Sequence, residues 1–230
     1  MDTLTSPPVS DVLDRLFAEA EAADAPLQAH WAEALDGTAD EIAKLLAEEA
    51  RDYKRVYREY AENYLNISAE FGRFLYVCTR ACRAKVAVEF GTSFGVSTIH
   101  LAAAIRDGGG GRLISTELEG TKAQRAQRNV AAAGLADIVD IRVGDALDTL
   151  RDGIEGTVDL VLLDGAFSLY LPVLRLVEPH LSAGAVVIAE NAVDASGEYL
   201  AHVRNPDNGY RSIPLPFDPI RGNELSVRTR

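Results

Sequence analysis

From Val86 onward the sequence alternates between two textures, and this alternation restricts the fold more than any other feature of the chain. Short apolar runs, KVAVEF, GRLIST, IVDIRV, VDLVLLD and GAVVIAE, are too short for helices and too uniformly apolar for strands that show one face to water. Between them lie VSTIHLAAAIRD, GTKAQRAQRNVAAAG, ALDTLRDG and LYLPVLRLVEPHL, with apolar positions at helical spacing. Strands buried on both faces and separated by helices predict a parallel sheet covered on two sides, a doubly wound, Rossmann-like α/β core. The alternation breaks near the end. After a helical SGEYLAHVR come GYRSIPLPF and NELSVRT, two strands without a crossover helix between them, which therefore pair antiparallel.

Residues 10 to 82 are helical in pattern, in the segments SDVLDRLFAEAEA, ADEIAKLLAEEARDYKRVY and SAEFGRFLYVCTRAC. Ser10 is placed to cap the first helix, and Pro26 and Gly37 to punctuate the region. The expected division is an N-terminal helical extension over residues 1–82 and a core over residues 83–230. Amphipathic helices added to a complete α/β core must bury an apolar face, either as a cap over an acceptor pocket or as the seam of a homodimer. Cys78 and Cys82 lie four apart on a helix and suit core packing rather than metal or redox chemistry. His100, inside the helix after the first strand, reads as a packed histidine. KRVYR reads as a solvated helix face with i,i+4 ion pairs.

A net charge of −12 disfavours a grip on nucleic acid or on an anionic membrane surface, because both need clustered Lys and Arg. The start of the chain has no basic region followed by an apolar one, and no stretch reaches the roughly 18 apolar residues of a membrane span. A cytoplasmic protein acting on a small molecule is expected.

The loop VEFGTSFGVST follows the first strand and opens a helix. Its glycines allow a ligand to approach the backbone, and the helix N-terminus offers N–H groups to a polar or anionic end. Ser93 stands where a dinucleotide fingerprint needs its second glycine, so a pyrophosphate is disfavoured, and with it an NAD-linked oxidoreductase. Glu89, just before the loop, suits an ammonium group. Glu117, closing the second strand, suits the hydroxyls of a ribose, and Asp145, ending the third, an adenine amino group. An amino-acid head, a ribose and an adenine without phosphate describe S-adenosylmethionine.

These residues also carry a family resemblance. From about residue 68 to the end the chain resembles the class I S-adenosylmethionine-dependent methyltransferases, and within them the small O-methyltransferases related to the catechol and caffeoyl-CoA enzymes. VEFGTSFGVST, ISTELEG, VGDAL, VDLVLLDG and AGAVVIAENA carry the likeness, in the family's order and spacing. The resemblance implies that Glu89, Gly91, Thr92, Ser93 and Gly95 shape the pocket and that Ser97 binds the methionine carboxylate. Glu117 is assigned to the ribose and Gly144, Asp145 and Ala146 to the adenine, while ISAEFGRFL covers the cofactor.

The same resemblance implies a divalent cation, Mg²⁺ or another hard ion, on Asp164, Glu190 and Asn191, with Asp164 also bordering the cofactor and serving the transfer step. Two departures stand out. Glu190 replaces an aspartate, and Phe167 falls where the family has its proton-accepting lysine; no lysine follows Lys122. His202 is the expected substitute, with His180, Tyr170 or hydroxide on the metal as alternatives. Phe167, Tyr170, Trp31 and the tyrosines of DYKRVYREYAENY offer an aromatic wall for a planar acceptor, although their helical spacing favours core packing. The expected activity is methyl transfer to a hydroxyl of a small aromatic acceptor. Metal-independent transfer to O, N or C and a catalytically silent cofactor-binding regulator are the alternatives.

Overall fold

The computed structural model describes residues 2–35, 39–192, 197–217 and 222–230, the side chains of residues 30–42 excepted. Helices α1 (Val9–Leu35), α2 (Ala39–Glu59) and α3 (Ala69–Ala81) come first. The remainder runs β1 (Val86–Phe90), α4 (Val96–Asp107), β2 (Arg112–Glu117), α5 (Gly120–Ala132), β3 (Val139–Val143), α6 (Ala146–Thr149) and β4 (Val158–Leu163). It continues with α7 (Tyr170–Val177), β5 (Leu181–Glu190), α8 (Glu198–Arg204), β6 (Tyr210–Leu215) and β7 (Asn223–Arg228). The expected strands and the expected helix order are all present.

The seven strands form one sheet in the order β3-β2-β1-β4-β5-β7-β6. β1 to β5 are mutually parallel, and β7 runs antiparallel between β5 and β6. The period of two along each strand divides the core between two layers. Ala87, Leu160, Leu162 and Ile188 face the layer that holds α1, α3 and α4, while Val88, Val161, Leu163 and Val187 face the layer of α7 and α8. Strand order reverses between β1 and β4, which opens a crevice at their carboxyl ends.

The N-terminal region departs from its sequence reading where packing overrides local signals. α1 begins at Val9, and Ser10 lies inside it, because the turn is closed earlier by Ser10 N–H on the Ser6 carbonyl and Val12 N–H on that of Pro8. Pro26 also lies inside α1. A proline removes one internal hydrogen bond, but α1 is held from outside by Val9, Val12, Leu13 and Leu16, which join the same core as Phe71, Ile99 and Leu101. Gly37 falls outside the described residues. α6 is shorter than ALDTLRDG predicts because the Arg142 guanidinium donates to the carbonyls of Thr149, Asp152 and Gly153, at 2.8, 3.0 and 2.7 Å. Those carbonyls are thereby taken out of helical use.

Cys78 and Cys82 are free thiols packed against the core, and burial pushes the Cys78 thiol up to about 11. No described helix is long and apolar enough to cross a membrane.

Candidate active site

The loop after β1 lies directly on the end of β4. Gly91 has φ +102°, and a Cβ there would sit 2.1 Å from the Asp164 carbonyl oxygen. Gly91 and Thr92 donate their N–H groups to the Thr116 carbonyl at 3.2 and 3.0 Å, tying the loop to β2 as well. Between the ends of β1, β2, β3 and β4 runs a narrow cleft of about 80 Å³ lined by Gly91, Thr92, Ser93, Ser97, Glu117, Gly144, Asp145, Ala146 and Asp164. Nine of the predicted cofactor residues therefore share one wall system.

Two of the predicted set lie behind the loop and do not line the cleft, Gly95 and Glu89. Glu89 is fully buried, and its Oε2 accepts from Thr98 Oγ1 at 2.6 Å and Ser115 Oγ at 2.5 Å. Its Oε1 has no hydrogen-bond partner; the Ser97 hydroxyl influences the carboxyl without closing a bond of ordinary geometry. Burial raises its pKa against these hydroxyls. In this arrangement Glu89 joins β1, β2 and α4 from within.

Glu117, 8% exposed at the end of β2, accepts from Ser93 N–H at 2.7 Å and Glu119 N–H at 2.9 Å. Each carboxylate oxygen retains acceptor capacity beyond these bonds. Burial raises its pKa, and the Lys122 charge works in the opposite direction. Lys122 itself is buried on α5, with Nζ 3.4 Å from Ser93 Oγ and 5.4 Å from the centre of the Phe94 ring. No local signal in the sequence marks it, since a lysine in a polar helix reads as solvated. Replacing Lys122 by methionine leaves Glu117 a buried carboxylate without its nearest cation, a costly state. The Lys122→Met protein is expected to bind S-adenosylhomocysteine at least about tenfold more weakly, equivalent to about 1.4 kcal/mol, as read by calorimetric titration. Unchanged affinity would show that Lys122 serves packing alone.

The extension closes over this cleft through α2, which is kinked at Asp52 (φ −154°, ψ 66°). Asp52 Oδ1 accepts from Arg55 N–H at 3.1 Å, capping the second half of the helix as a fresh start. That half brings Tyr53 and Tyr57 to the cleft wall. Asp145 caps α6 by accepting from Leu147 N–H at 3.0 Å, and it also accepts from Tyr53 Oη at 2.6 Å and pairs with Lys54 Nζ at 2.7 Å. Burial alone would raise its pKa, but these donors hold it below the usual carboxylate range. The KRVYR run is thus only partly a solvated face. Arg55 makes the expected i,i+4 pair with Glu59, while Lys54 reaches across to Asp145. From α1, Asp24 accepts from Tyr64 and Leu65 N–H at 2.9 and 2.8 Å and so hangs the segment that carries Leu65 (φ 48°) and Asn66 over the cleft.

A second, larger cavity of about 650 Å³ lies under α1 and α2 and shares Tyr57, Leu65, Asn66, Asp164 and Gly165 with the cleft. Glu190, Asn191, Phe167 and Glu49 also line it. Asn191, at φ 49°, donates its N–H to Asn223 Oδ1 at 2.8 Å and its Nδ2 to Glu190 Oε2, while its buried Oδ1 has no hydrogen-bond partner. Among the described residues no cluster of three or more His, Cys, Asp and Glu side chains forms a metal site; the set here is two carboxylates and an amide. Tyr57 Oη donates to the Gly165 carbonyl at 3.2 Å, and burial, with the charges of Glu49, Asp164 and Glu190, raises its pKa well above the phenol range.

The two histidines proposed in place of the missing lysine lie away from this junction. His202 has to be withdrawn: its Nε2 pairs with Glu178 at 2.8 Å, at the start of β5, whereas Glu190 ends that strand. Ten residues of strand at about 3.3 Å each separate the two ends. His180 lies at the same far end. Tyr170 is buried and spends its hydroxyl on the Glu190 carbonyl at 2.5 Å. His100 is packed as expected, 2% exposed with Nδ1 2.8 Å from the Val96 carbonyl. The core reading of the aromatics holds for Tyr170 and Tyr64, and Tyr57 and Phe167 pack against the core while also lining the cavity, as Tyr60 does; the Trp31 side chain lies outside the described residues.

A family profile described as a methyltransferase domain matches residues 88–192. The catechol O-methyltransferase of Niastella koreensis is 35% identical over 136 residues, covering 56% of this chain and 59% of that protein. The matched stretch thus spans about three fifths of that relative's length. The catechol O-methyltransferase of Sus scrofa is 31% identical over 150 residues, covering 62% of this chain and 80% of that protein. The solved structure of the O-methyltransferase TomG from Streptomyces achromogenes, in complex with S-adenosylmethionine, superposes with a TM-score of 0.66 at 24% identity, covering 80% of this chain and 90% of that one. At that identity the structural likeness speaks to the fold.

Proposed function

The chain belongs to the class I S-adenosylmethionine-dependent O-methyltransferases related to the catechol and caffeoyl-CoA enzymes, and from this premise we propose that it methylates a hydroxyl of a small aromatic acceptor. The observation that carries the reading is the shared wall. Asp164 and Gly165 border the cleft on one side and the large cavity on the other, so a donor in the first faces an acceptor in the second.

Methyl transfer from a sulfonium is an in-line displacement: the bond from the acceptor oxygen to the methyl carbon forms as the carbon–sulfur bond breaks, and the hydroxyl proton is lost. In this reading Ser97 and the first N–H groups of α4 bind the methionine carboxylate, and Glu117 accepts from the ribose hydroxyls. Gly144, Asp145 and Ala146 form the adenine edge, with Tyr53 above it. Tyr57, Leu65 and Asn66 stand at the junction, where they restrict water around the reacting atoms.

The donor set at the junction fits a hard divalent cation, because Asp164, Glu190 and Asn191 supply oxygen ligands and the buried Asn191 Oδ1 has no other partner. When bound, such an ion supplies Lewis acidity that makes an acceptor hydroxyl easier to ionise. Asn191 Nδ2 donates to Glu190 Oε2, so the longer carboxylate is tied to its neighbour in this set.

Titration calorimetry with S-adenosylhomocysteine, followed by mass detection of product from S-adenosylmethionine and 4-ethylcatechol, tests the reading. One binding event and a mono-O-methylated catechol are expected. Absence of heat would remove the cofactor, and heat without product across neutral phenols would remove the activity.

A further inference from the structure

We propose that Asp24 of α1 is a positioning residue for the cofactor: it latches the strap of residues 63–68 over the methionine end of the cleft and thereby sets how slowly a bound cofactor leaves. This rests on the cleft being the cofactor site. Asp24 is 4% exposed and lies outside the residues matched by the methyltransferase profile. Its Oδ1 accepts from Tyr64 N–H at 2.9 Å and from Asn63 Nδ2 at 3.1 Å, and its Oδ2 from Leu65 N–H at 2.8 Å. Both oxygens are thus spent on donors of one short segment.

Residues 63–68 belong to no helix or strand, so the N–H groups of Tyr64 and Leu65 have no ladder to join. Leu65 is held at φ 48°, which a residue with a side chain keeps only where its surroundings enforce it. A buried carboxylate that accepts from two consecutive backbone N–H groups supplies that constraint. From the opposite side Ser93 Oγ donates to the Tyr64 carbonyl, and the Ser93 N–H donates to Glu117. The strap is therefore tied at once to α1 and to the loop that orients Glu117. Its ends are anchored separately. The Tyr64 ring lies 4.2 Å from that of Phe94 and its hydroxyl donates to Glu19 at 2.6 Å, while Ile67 is buried in the core. Leu65 and Asn66, between these anchors, are the residues that Asp24 holds in place.

The cover over the cleft is divided. Leu65 and Asn66 line both the cleft and the large cavity, beside Asp164 and Gly165, where the proposed function puts the sulfur. Gly144, Asp145 and Ala146 line the cleft alone and lie beneath Tyr53 of α2. Loss of the Asp24 latch is accordingly felt by the part of a ligand beyond the ribose and not by its adenine. A hydrogen bond to a charged acceptor is worth about tenfold or more in an equilibrium constant, so the latch weighs heavily on a strap this short.

Dissociation of radiolabelled S-adenosylhomocysteine, chased with excess unlabelled compound, measures the latch. Asp24→Ala is expected to release the label at least about tenfold faster than the natural protein, with an association rate that is not reduced. Asp24→Asn keeps one acceptor oxygen and places N–H₂ at the other, so its release rate should fall between the two. Adenosine, which has no methionine part, should bind all three proteins within about threefold, whereas a general loosening of the fold would weaken both ligands alike. If Asp24→Ala folds poorly, Asp24→Asn carries the comparison. Hydrogen exchange of the Tyr64 and Leu65 amides in the natural protein gives a second reading, and it should slow when S-adenosylhomocysteine is added. Unchanged release in the variants, adenosine weakened as much as S-adenosylhomocysteine, or amide exchange indifferent to the ligand overturns the inference while leaving the cofactor reading intact. Absence of S-adenosylhomocysteine binding to the natural protein overturns both.

Discussion

Replacing Gly91 by alanine is expected to abolish cofactor binding and to destabilise the fold by about 2–6 kcal/mol, the sum of backbone strain and overpacking. The backbone at Gly91 has φ +102°, a conformation that L side chains rarely adopt. The new Cβ would also lie 2.1 Å from the carbonyl oxygen and 2.6 Å from the carbonyl carbon of Asp164. Side-chain rotation cannot relieve a clash between a Cβ and a backbone. The loop must move off the end of β4, and that displacement shifts Thr92, Ser93 and Asp164 together, all of them walls of the cleft. Gly156→Ala provides the control, since φ is +79° there and nothing lies within 4 Å of the added carbon. That protein should show the strain alone, about 1 kcal/mol or somewhat more, with normal cofactor affinity. Urea unfolding and titration with S-adenosylhomocysteine on both variants decide the matter. Wild-type affinity in Gly91→Ala would mean that the close approach of β1 and β4 is not what shapes the site.

The difference between these two glycines shows which parts of the molecule can be read from its sequence. Strand β1 is legible because Ala87 and Val88 face opposite layers that are both buried, so the run is apolar throughout. The cleft is legible for a related reason. Residues at the carboxyl ends of parallel strands are brought to one edge by the topology, whatever their side chains do. Strand order places Glu117, Asp145 and Asp164 at that edge, while the assignment of Gly91, Ser97 and their neighbours rests on the family resemblance as well.

Side chains that arrive from α2 have no such guarantee. Tyr53, Lys54 and Glu49 lie on a helix whose polar pattern is that of a solvated face, and their partners, Asp145 and Ser168, are remote in the chain. The kink at Asp52 turns that face inward, and its cap is visible only once the φ of −154° is known. His202 shows the opposite failure. Its residue type suited the chemistry, but the length of β5 places it at the wrong end of the sheet. Residue type is a weak guide where topology does not fix position.

Asp164 is the position at which type and topology coincide, and its replacement should have the largest effect on turnover. In Asp164→Asn, methyl transfer is expected to fall by about a thousandfold or more, within the several kcal/mol attributed to Lewis-acid assistance. The cofactor should still bind, because the proposed reading gives the ribose and the methionine to Glu117 and Ser97, which the substitution leaves in the cleft wall. Thermal unfolding separates these effects without any acceptor. A ligand at a hundred times its dissociation constant stabilises by about 2.7 kcal/mol, or about 5–10 °C for a chain of this size. The natural protein should shift with S-adenosylhomocysteine and, separately, with Mg²⁺; Asp164→Asn should keep the first shift and lose the second. A Mg²⁺ shift that survives would move the ion away from the cleft–cavity junction. Loss of both shifts would instead make Asp164 a cofactor ligand first, so that the acceptor hydroxyl would have to be activated by Glu49 and Glu190 without it.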